Sequence, residues 1–165
     1  MTSLRRLTVA CCLLLSAWSA WAGTATNNLT VQATVVSNCT VTAATLNFGT
    51  TITATIGSNI DVSTQFNVTC ANTVPYTVDL GLGAGPSPTF ASRQMKQAAN
   101  TLNYSLYLDN ARTQVWGDGV TAGTVHASGT GTGAAQPLTV FGRLFPQSAA
   151  TTGLYSDTVV ITVNF

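Results

Sequence analysis

Apolar side chains occupy every second position in several stretches of the chain, a pattern that predicts β-strands with one buried face. The predicted inward rows are Val62, Thr64, Phe66, Val68 and Cys70; Tyr76, Val78, Leu80 and Leu82; Leu102, Tyr104, Leu106 and Leu108; and Val159, Ile161, Val163 and Phe165. Residues 137–145 form a further predicted strand. Thr and Val are abundant in these stretches, and Gly, Pro and Asn mark the turns between them. The pattern therefore predicts an antiparallel β-sandwich.

The segments between the predicted strands carry weaker signals. Residues 93–100 (RQMKQAAN) are the best candidate for a helix, of one or two turns at most. Residues 83–89 (GAGPSPT) and 126–137 (HASGTGTGAAQP) are predicted as loops from their composition. The sequence indicates one domain without internal repeats.

A further alternating row, Leu29, Val31, Ala33 and Val35, precedes the other strands and has no earlier segment with which to pair. One interpretation is a hairpin that turns at residues 36–38 and pairs with residues 39–46. Three-residue hairpin loops favour glycine at the left-handed position, and only Asn38 could serve there. Val36 and Ser37 favour continued extension. The other interpretation is a strand whose partner belongs to a different molecule.

The first residues have the features of a secretory signal. A basic head (MTSLRR) precedes an apolar run (LTVACCLLLSAW), and small residues predict cleavage after Ala22. Lipidation at Cys11 is disfavoured because TVAC lacks the usual leucine and follows too little apolar chain. No segment approaches the ~18–20 apolar residues of a membrane-spanning helix. The protein is therefore expected to be exported without a membrane span.

Removal of residues 1–22 leaves a chain of 143 residues, a size typical of one domain. Its basic residues are Arg93, Lys96, Arg112 and Arg143, and its acidic residues are five aspartates. The resulting net charge is −1. Because binding to a phosphate backbone requires clustered Lys and Arg, nucleic acid is not expected as a partner.

Two cysteines, Cys39 and Cys70, remain after the signal is removed. In an exported protein a single pair is most simply a disulfide, which would stabilise the fold by about 3–4 kcal/mol in the chain-entropy model. A metal site would need more ligands, and a catalytic thiol would need a histidine partner.

Residue patterns for catalysis or cofactor binding are missing from the sequence. The one histidine, His126, lies in a predicted loop, and no G-x-S-x-G motif accompanies it. The glycine-rich segments 81–85 and 129–133 lack the spacing of a dinucleotide fingerprint. We therefore predict no enzymatic activity, no metal and no cofactor. Trp116, near Asp118, is either a packing residue, which we favour, or a platform for stacking a sugar.

Several segments of the chain resemble the spore coat protein U domain, a family that also provides the pilin subunits of archaic chaperone–usher pili. The resemblance covers nearly all of the chain after the signal. Its most specific parts are Leu46–Gly49, the block LYLDNARTQVWGDG at residues 106–119, and GLYSDTV at residues 153–159. The resemblance implies an incomplete immunoglobulin-like β-sandwich that lacks its last strand.

In such pilins, the open slot is filled first by a strand from a periplasmic chaperone. The N-terminal extension of the next subunit, delivered at an outer-membrane usher, then replaces it. The resemblance thus implies a donor-strand extension at residues 23–37 and a pilin domain at residues 38–165. Leu29, Val31, Ala33 and Val35 would be the donor residues.

The last predicted row, Val159, Ile161, Val163 and Phe165, would form one wall of the acceptor groove. Neither a charge nor a proline interrupts residues 158–165, although exposed edge strands usually carry such protection. The edge is therefore expected to be occupied by a partner strand. A chaperone's basic residues are expected to anchor the terminal carboxylate beside Phe165, again by the resemblance.

From these features we predict a structural subunit of a surface pilus, exported through the periplasm and joined head to tail with its own copies or related pilins. Three alternatives stay open: a cell or spore coat protein with the same fold, a tip adhesin with an additional receptor-binding domain, and a monomeric sugar-binding sandwich.

Overall fold

The computed structural model of the chain describes residues 23–165, so the predicted signal peptide lies outside the described residues. Residues 23–38 contain no strand. The alternative in which residues 29–35 form a hairpin with residues 39–46 is not formed, and Cys39–Val41 pairs with Val68–Cys70 instead. Within the described part of the chain, no helix has the length and apolar character needed to cross a membrane.

In the described part of the chain, residues 23–165, ten strands form two sheets. In chain order they are β1 (Cys39–Val41), β2 (Ile60–Cys70), β3 (Pro75–Leu80), β4 (Arg93–Gln97), β5 (Asn100–Tyr107), β6 (Val115–Trp116), β7 (Thr124–Val125), β8 (Ala127–Thr130), β9 (Gln136–Leu144) and β10 (Ile161–Asn164). The large sheet has the order β1-β2-β9-β5-β6-β7, with β4 also paired to β5, and the small sheet has the order β10-β3-β8. All pairs are antiparallel except β6 with β7. The predicted all-β sandwich is confirmed.

The core lies between the two sheets and is built from the predicted alternating rows. In β2, burial alternates along the strand and ends with Phe66, Val68 and Cys70 inside. β5 departs from simple alternation, because Ser105 and Tyr107 on its other face are buried as well. The Ser105 hydroxyl donates to the Phe90 carbonyl at 3.1 Å, so the loop before β4 covers that face.

The prediction of a helix at residues 93–100 is wrong. Residues 93–97 form β4, and Ala98, with φ of 52°, lies in the turn into β5. The inward row of β4 begins with Arg93, and a charged residue at a buried position conceals the period-two pattern. The prediction of a continuous loop at residues 126–137 is also wrong in part, because Ala127–Thr130 forms β8 against β3. Gly129 fits there because a Cβ would collide with Tyr76.

Arg93 is fully buried and satisfies its guanidinium with backbone carbonyls. Its Nε donates to Gly81 at 2.9 Å, and its Nη2 donates to Leu80 at 3.1 Å and to Trp116 at 2.7 Å. Burial lowers the pKa of Arg93 to about 10. The side chain therefore links β4 to β3 and β6, across the two sheets.

Candidate functional site

An open apolar groove lies along one side of the sandwich, between an edge of each sheet. One wall is residues 44–48, and the other is residues 154–157 with Val159 and Ile161. The cavity between them has a volume of about 420 Å³. Its floor is formed by Thr64, Phe66, Leu80, Met95, Tyr104, Leu106 and Val140. The groove thus reaches side chains of the central core.

The two walls run in opposite directions along the groove. At one end, β1 lies beside β10. At the other end, the backbones of Ile56 and Gln147 exchange hydrogen bonds of 2.8 and 3.0 Å, and the Ala150 N–H donates to Ala54 at 2.8 Å. Backbone hydrogen bonds between the two walls therefore close the groove at the Ile56 end. Nearer to β1, the groove lies between an edge of each sheet, and within residues 23–165 these two edges do not pair with each other.

β10 offers the groove both apolar side chains and backbone groups. The Val160 carbonyl accepts a hydrogen bond from the Gly81 N–H at 2.9 Å, which directs the backbone of Val160 towards β3. Because an antiparallel ladder alternates, the backbone groups of Val159, Ile161 and Val163 point to the opposite edge. No strand among residues 23–165 pairs with that edge. The same three side chains pack against the core, whereas Val160 is 64% exposed on the outer face.

A polar contact inside the groove connects its two walls. The Tyr104 hydroxyl donates to Asp157 Oδ2 at 2.6 Å, and the Tyr104 ring meets Phe48 edge to face with centroids 5.9 Å apart. Tyr104 is 4% exposed. Burial, together with the bond to Asp157, raises the pKa of the Tyr104 hydroxyl above its usual range. Tyr104 therefore acts as a spacer between the wall containing Phe48 and the wall containing Asp157.

Asp157 is also fixed by the backbone. Its Oδ1 accepts the Ala84 N–H at 2.7 Å and the Thr158 N–H at 2.8 Å. Gly83 has φ of 88°, and a Cβ there would overlap the Asp157 carboxylate. These contacts hold the start of the last strand in place.

Phe48 and Leu46 on the facing wall lie over Gly142, where a Cβ would meet both side chains.

A second cavity of about 400 Å³ continues the groove towards Ile56. It shares Leu46, Phe48 and Met95 with the first cavity and adds Ile52 and Leu102. The two cavities form one trough lined mainly by apolar side chains. A trough of this shape, beside an unpaired strand edge, suits an extended segment with apolar residues at alternate positions.

The structure places most of the predicted groove residues at this site. Val159 and Ile161 line the cavity, and Val163 packs against the core beyond it. Phe165, predicted for the same wall, is 58% exposed and does not line the cavity, because β10 ends at Asn164 in its register with Thr77. The role of this row in assembly stays a prediction.

The predicted donor residues are strongly exposed. The exposed fractions are 88% for Leu29, 83% for Val31 and 93% for Val35.

Cys39 and Cys70 are joined by a disulfide and stand opposite each other in the β1–β2 register. The bond fixes the start of β1 to the end of β2, directly after the exposed segment.

Sequence reasoning missed the wall at residues 44–48 and the spacer formed by Tyr104 and Asp157. Leu46 and Phe48 are separated by one residue, but two apolar positions are too few to indicate a strand. Tyr104 was placed correctly on an inward row, but nothing in the sequence identifies its partner 53 residues away.

Of the two candidates for other chemistry, Trp116 occupies a structural position, whereas His126 is partly exposed beside Asp79. Trp116 is fully buried, and its Nε1 donates to the Val78 carbonyl at 2.8 Å. The alternative of sugar stacking on Trp116 is therefore wrong, because no face of the ring reaches solvent. His126 Nδ1 lies 3.5 Å from Asp79 Oδ1. Among residues 23–165, no group of three or more His, Cys, Asp or Glu is placed to hold a metal ion.

A family model and a relative of known sequence both match most of this chain. The model of the Spore Coat Protein U domain family matches residues 25–162. Protein U of Myxococcus xanthus is 33% identical over 158 residues, and the match covers 87% of each protein.

A solved structure shares the fold. It is the CsuC–CsuE chaperone–tip adhesion subunit pre-assembly complex from the archaic chaperone–usher Csu pili of Acinetobacter baumannii, with a TM-score of 0.56 and 24% identity. The match covers 80% of this chain but only 40% of the solved chain. This similarity supports the incomplete immunoglobulin-like sandwich.

Proposed function

The chain belongs to the Spore Coat Protein U domain family, and from this premise we propose that it is a structural subunit of a surface pilus assembled through a chaperone–usher pathway. The proposal assigns residues 1–22 to a signal peptide, residues 23–37 to the donor-strand extension and residues 38–165 to the pilin domain. It assigns no catalytic activity.

The observation that carries the proposal is an edge of β10 that pairs with no strand of residues 23–165 and lies beside an apolar trough. Exposed edges invite pairing with another chain, and proteins usually protect them with charges or proline. Here the edge presents Val159, Ile161 and Val163 without such protection. A strand that entered the trough would complete the sandwich and cover this edge.

The exposed segment at residues 29–35 has the pattern that such a strand needs. Burial of Leu29, Val31 and Val35 would contribute roughly 1.5–3 kcal/mol each, and Ala33 less. Each backbone hydrogen bond along the strand would add roughly 0.5–1.5 kcal/mol. These gains amount to roughly 10 kcal/mol or more before the ordering costs are counted, which is sufficient for a persistent link. Because the contact joins two different surfaces, repetition gives an open filament.

The roles of a chaperone and an usher are proposed by analogy with the solved neighbour. The solved neighbour is a complex of a chaperone with a tip adhesion subunit from an archaic chaperone–usher pilus. A bound chaperone strand would protect the trough of the present chain during transit through the periplasm.

Deletion of residues 24–35 tests the donor role. We expect the shortened chain to be exported and to co-purify with a chaperone, but to give no ladder of multimers on electrophoresis of unboiled samples. The matched control replaces Thr30 and Gln32, which alternate with the donor residues, by serine and asparagine. This control should retain the ladder. A normal ladder from the deleted chain would rule out the donor assignment.

A coat protein is the second candidate, and the description of the family as a spore coat domain favours it. A coat protein could use the same groove and the same donor residues. A chaperone gene and an usher gene beside this one would support the pilus. Labelling of the chain in a continuous cell or spore coat, with no filaments, would support the coat.

A further inference from the structure

We propose that the outer face of the large sheet carries a binding site for an acidic sugar, built from Asp61, Arg112, Phe141 and Arg143, which we call the arginine cluster. The two cavities of the groove contain none of these residues. The cluster would therefore stay accessible when a strand fills the groove. The inference goes beyond the proposed function, because it adds a ligand that neither a pilus nor a coat requires.

Arg143 and Asp61 form a fixed ion pair on this face, directly opposite each other in the β2–β9 register. Arg143 Nε and Nη2 each donate to an oxygen of the Asp61 carboxylate at 2.8 Å. Arg112 Nε lies 3.3 Å from Asp61 Oδ1. The hydrogen bond from Arg143 lowers the pKa of Asp61, and the same bond raises the pKa of Arg143. Two guanidinium groups thus share one carboxylate, which leaves one positive charge in excess.

Arg112 keeps its place in this cluster at the expense of backbone strain. Its φ is 59°, in the left-handed region, which costs a residue other than glycine more than an ion pair near the surface usually returns. Its Nη1 donates to the Asn110 carbonyl at 2.9 Å, and its guanidinium lies 5.9 Å from the centroid of the Phe141 ring. Strained residues cluster at functional sites. A use for the side chain would explain why arginine occupies this turn.

Each guanidinium group keeps a terminal nitrogen for a ligand. Among residues 23–165, no hydrogen bond involves Arg143 Nη1 or Arg112 Nη2. Neither nitrogen belongs to the buried polar atoms that lack a partner, so both face solvent. The side chains of Arg143 and Arg112 are 26% and 11% exposed. A ligand carboxylate would accept charge-assisted hydrogen bonds here, which are stronger than those between neutral groups.

Hydroxyl and amide groups continue the same face. Ser63 and Gln65 follow Asp61 at two-residue spacing in β2, and both are exposed. They stand opposite Phe141 and Thr139 in β9. Such groups exchange hydrogen bonds with the hydroxyls of a sugar. A single excess charge suits a monoanion, whereas binding to a phosphate backbone needs clustered Lys and Arg. The ligand that fits is therefore a sugar with one carboxylate on its ring, as in a polymer of uronic acid.

The C-terminal carboxylate of a second copy is the competing ligand. It has the same charge, but it carries the Phe165 ring, which would need an apolar pocket beside the arginines. The Phe141 ring already contacts the Arg112 guanidinium, and the next exposed residues on β2 are polar. The surroundings of the cluster therefore favour the sugar.

Binding to immobilised polygalacturonate tests the site, with the methyl-esterified polymer as a neutral probe that keeps the sugar hydroxyls. The full exported chain is compared in one state of assembly, at low and at physiological ionic strength. We expect binding to the acidic polymer to weaken with salt and to exceed binding to the ester by about tenfold or more. Multimers should bind more tightly than monomers, because the polymer repeats its carboxylate. Equal binding to both polymers, or to neither, would overturn the proposal.

Three substitutions separate a ligand site from a structural ion pair. Arg143→Gln removes the excess charge and should weaken binding by about tenfold or more. Asp61→Asn adds a positive charge and should bind the polymer at least as tightly as the unmodified chain. A purely structural pair predicts the same loss from either side. Lys96→Gln, the matched control, removes an exposed positive charge on β4 and should change binding by less than about twofold.

The urea midpoint of each variant reports whether it folds. If Arg143→Gln does not fold, Asp61→Asn still decides, because loss of binding in a folded Asp61→Asn chain would contradict a site for anions. Equal losses from Arg143→Gln and Lys96→Gln would reduce the effect to general attraction and overturn the site. Unchanged polymer binding by Arg143→Gln, with slower association of subunits, would assign the carboxylate to a second copy and overturn the sugar.

Discussion

The two sides of the sandwich differ in how the sheets are joined. On one side, which we call the closed side, Arg93 and Trp116 connect β3 to the large sheet through carbonyl hydrogen bonds, and the Leu80 N–H donates to Gly117 at 3.0 Å. On the groove side, residues 44–48 face Val159 and Ile161 across an apolar cavity. Within residues 23–165, no strand fills that cavity.

The closed side therefore serves mainly to stabilise the fold, whereas the groove side serves mainly in the proposed assembly. The closed side satisfies a buried cation and an indole N–H with backbone acceptors, which fixes the relative position of the sheets. The groove side leaves apolar surface and backbone groups for a partner strand. Substitutions on the closed side should therefore unfold the subunit, whereas substitutions facing the groove should weaken the link between subunits.

The largest effect is expected from Trp116→Ala on the closed side. Loss of a fully buried tryptophan typically costs about 3–5 kcal/mol, and the Val78 carbonyl also loses its donor. This is a large part of the ~5–15 kcal/mol that stabilises a domain. We expect a strongly lowered denaturation midpoint and little exported protein, measured by urea unfolding and by immunoblotting of the periplasm.

The control for Trp116→Ala is Val120→Ala, a change nearby in sequence at a side chain that is 89% exposed. It should alter stability by less than about 0.5 kcal/mol. If Trp116→Ala unfolded at the same urea concentration as this control, the contacts of Trp116 on the closed side would not stabilise the fold.

A smaller and more selective effect is expected from Ile161→Thr in the groove wall. The change keeps the β-branched shape but removes apolar surface that a donor strand would cover. We expect the link between subunits to lose about 1–2 kcal/mol, so that multimers dissociate roughly tenfold faster. The measurement is the decay of the unboiled ladder at a fixed temperature.

Val160→Thr is the matched control, because it makes the same kind of change at the residue directly before β10, on the outer face of the sandwich. Val160 is 64% exposed, so a donor in the groove would not cover it. Equal dissociation rates for the two variants would mean that the donor does not enter on the Ile161 side of β10.

The strands and the core could be predicted because period-two patterning depends only on local sequence. Two segments failed for identifiable reasons. Arg93 places a charge on an inward row, which the structure permits only because four carbonyl hydrogen bonds satisfy it. The glycines of residues 126–137 suggested a loop, but one of them fits a strand directly beneath Tyr76.

The groove was predicted only in part, because its shape depends on contacts between distant segments. Alternation places Val159, Ile161 and Val163 on one face of the last strand, but the sequence leaves open which face lines the groove, and the structure packs these three side chains against the core. The exposure of Phe165 does not follow from alternation, since it depends on where β10 stops pairing with β3. The facing wall at residues 44–48 has no regular strand and could not be assigned to the groove without the register of β1 on β2.

The smallest effect is expected from Tyr104→Phe, which removes the hydroxyl that spaces the groove walls. Asp157 would keep its bonds from Ala84 and Thr158, and water from the open groove could replace the lost donor. Unfolding stability should therefore fall by only about 1 kcal/mol. The walls would lose their fixed separation, so multimers should dissociate several-fold faster in the ladder assay.

Tyr155→Phe separates the spacer role from the general loss of a tyrosine hydroxyl. The Tyr155 hydroxyl donates to the exposed Thr151 carbonyl at 3.0 Å and does not connect the walls. Its loss should leave both the urea midpoint and the dissociation rate nearly unchanged. If Tyr104→Phe altered the urea midpoint but not the dissociation rate, the hydroxyl would stabilise the fold alone. The separation of the walls would then be set by Phe48 packing on the ring, a contact that this substitution preserves.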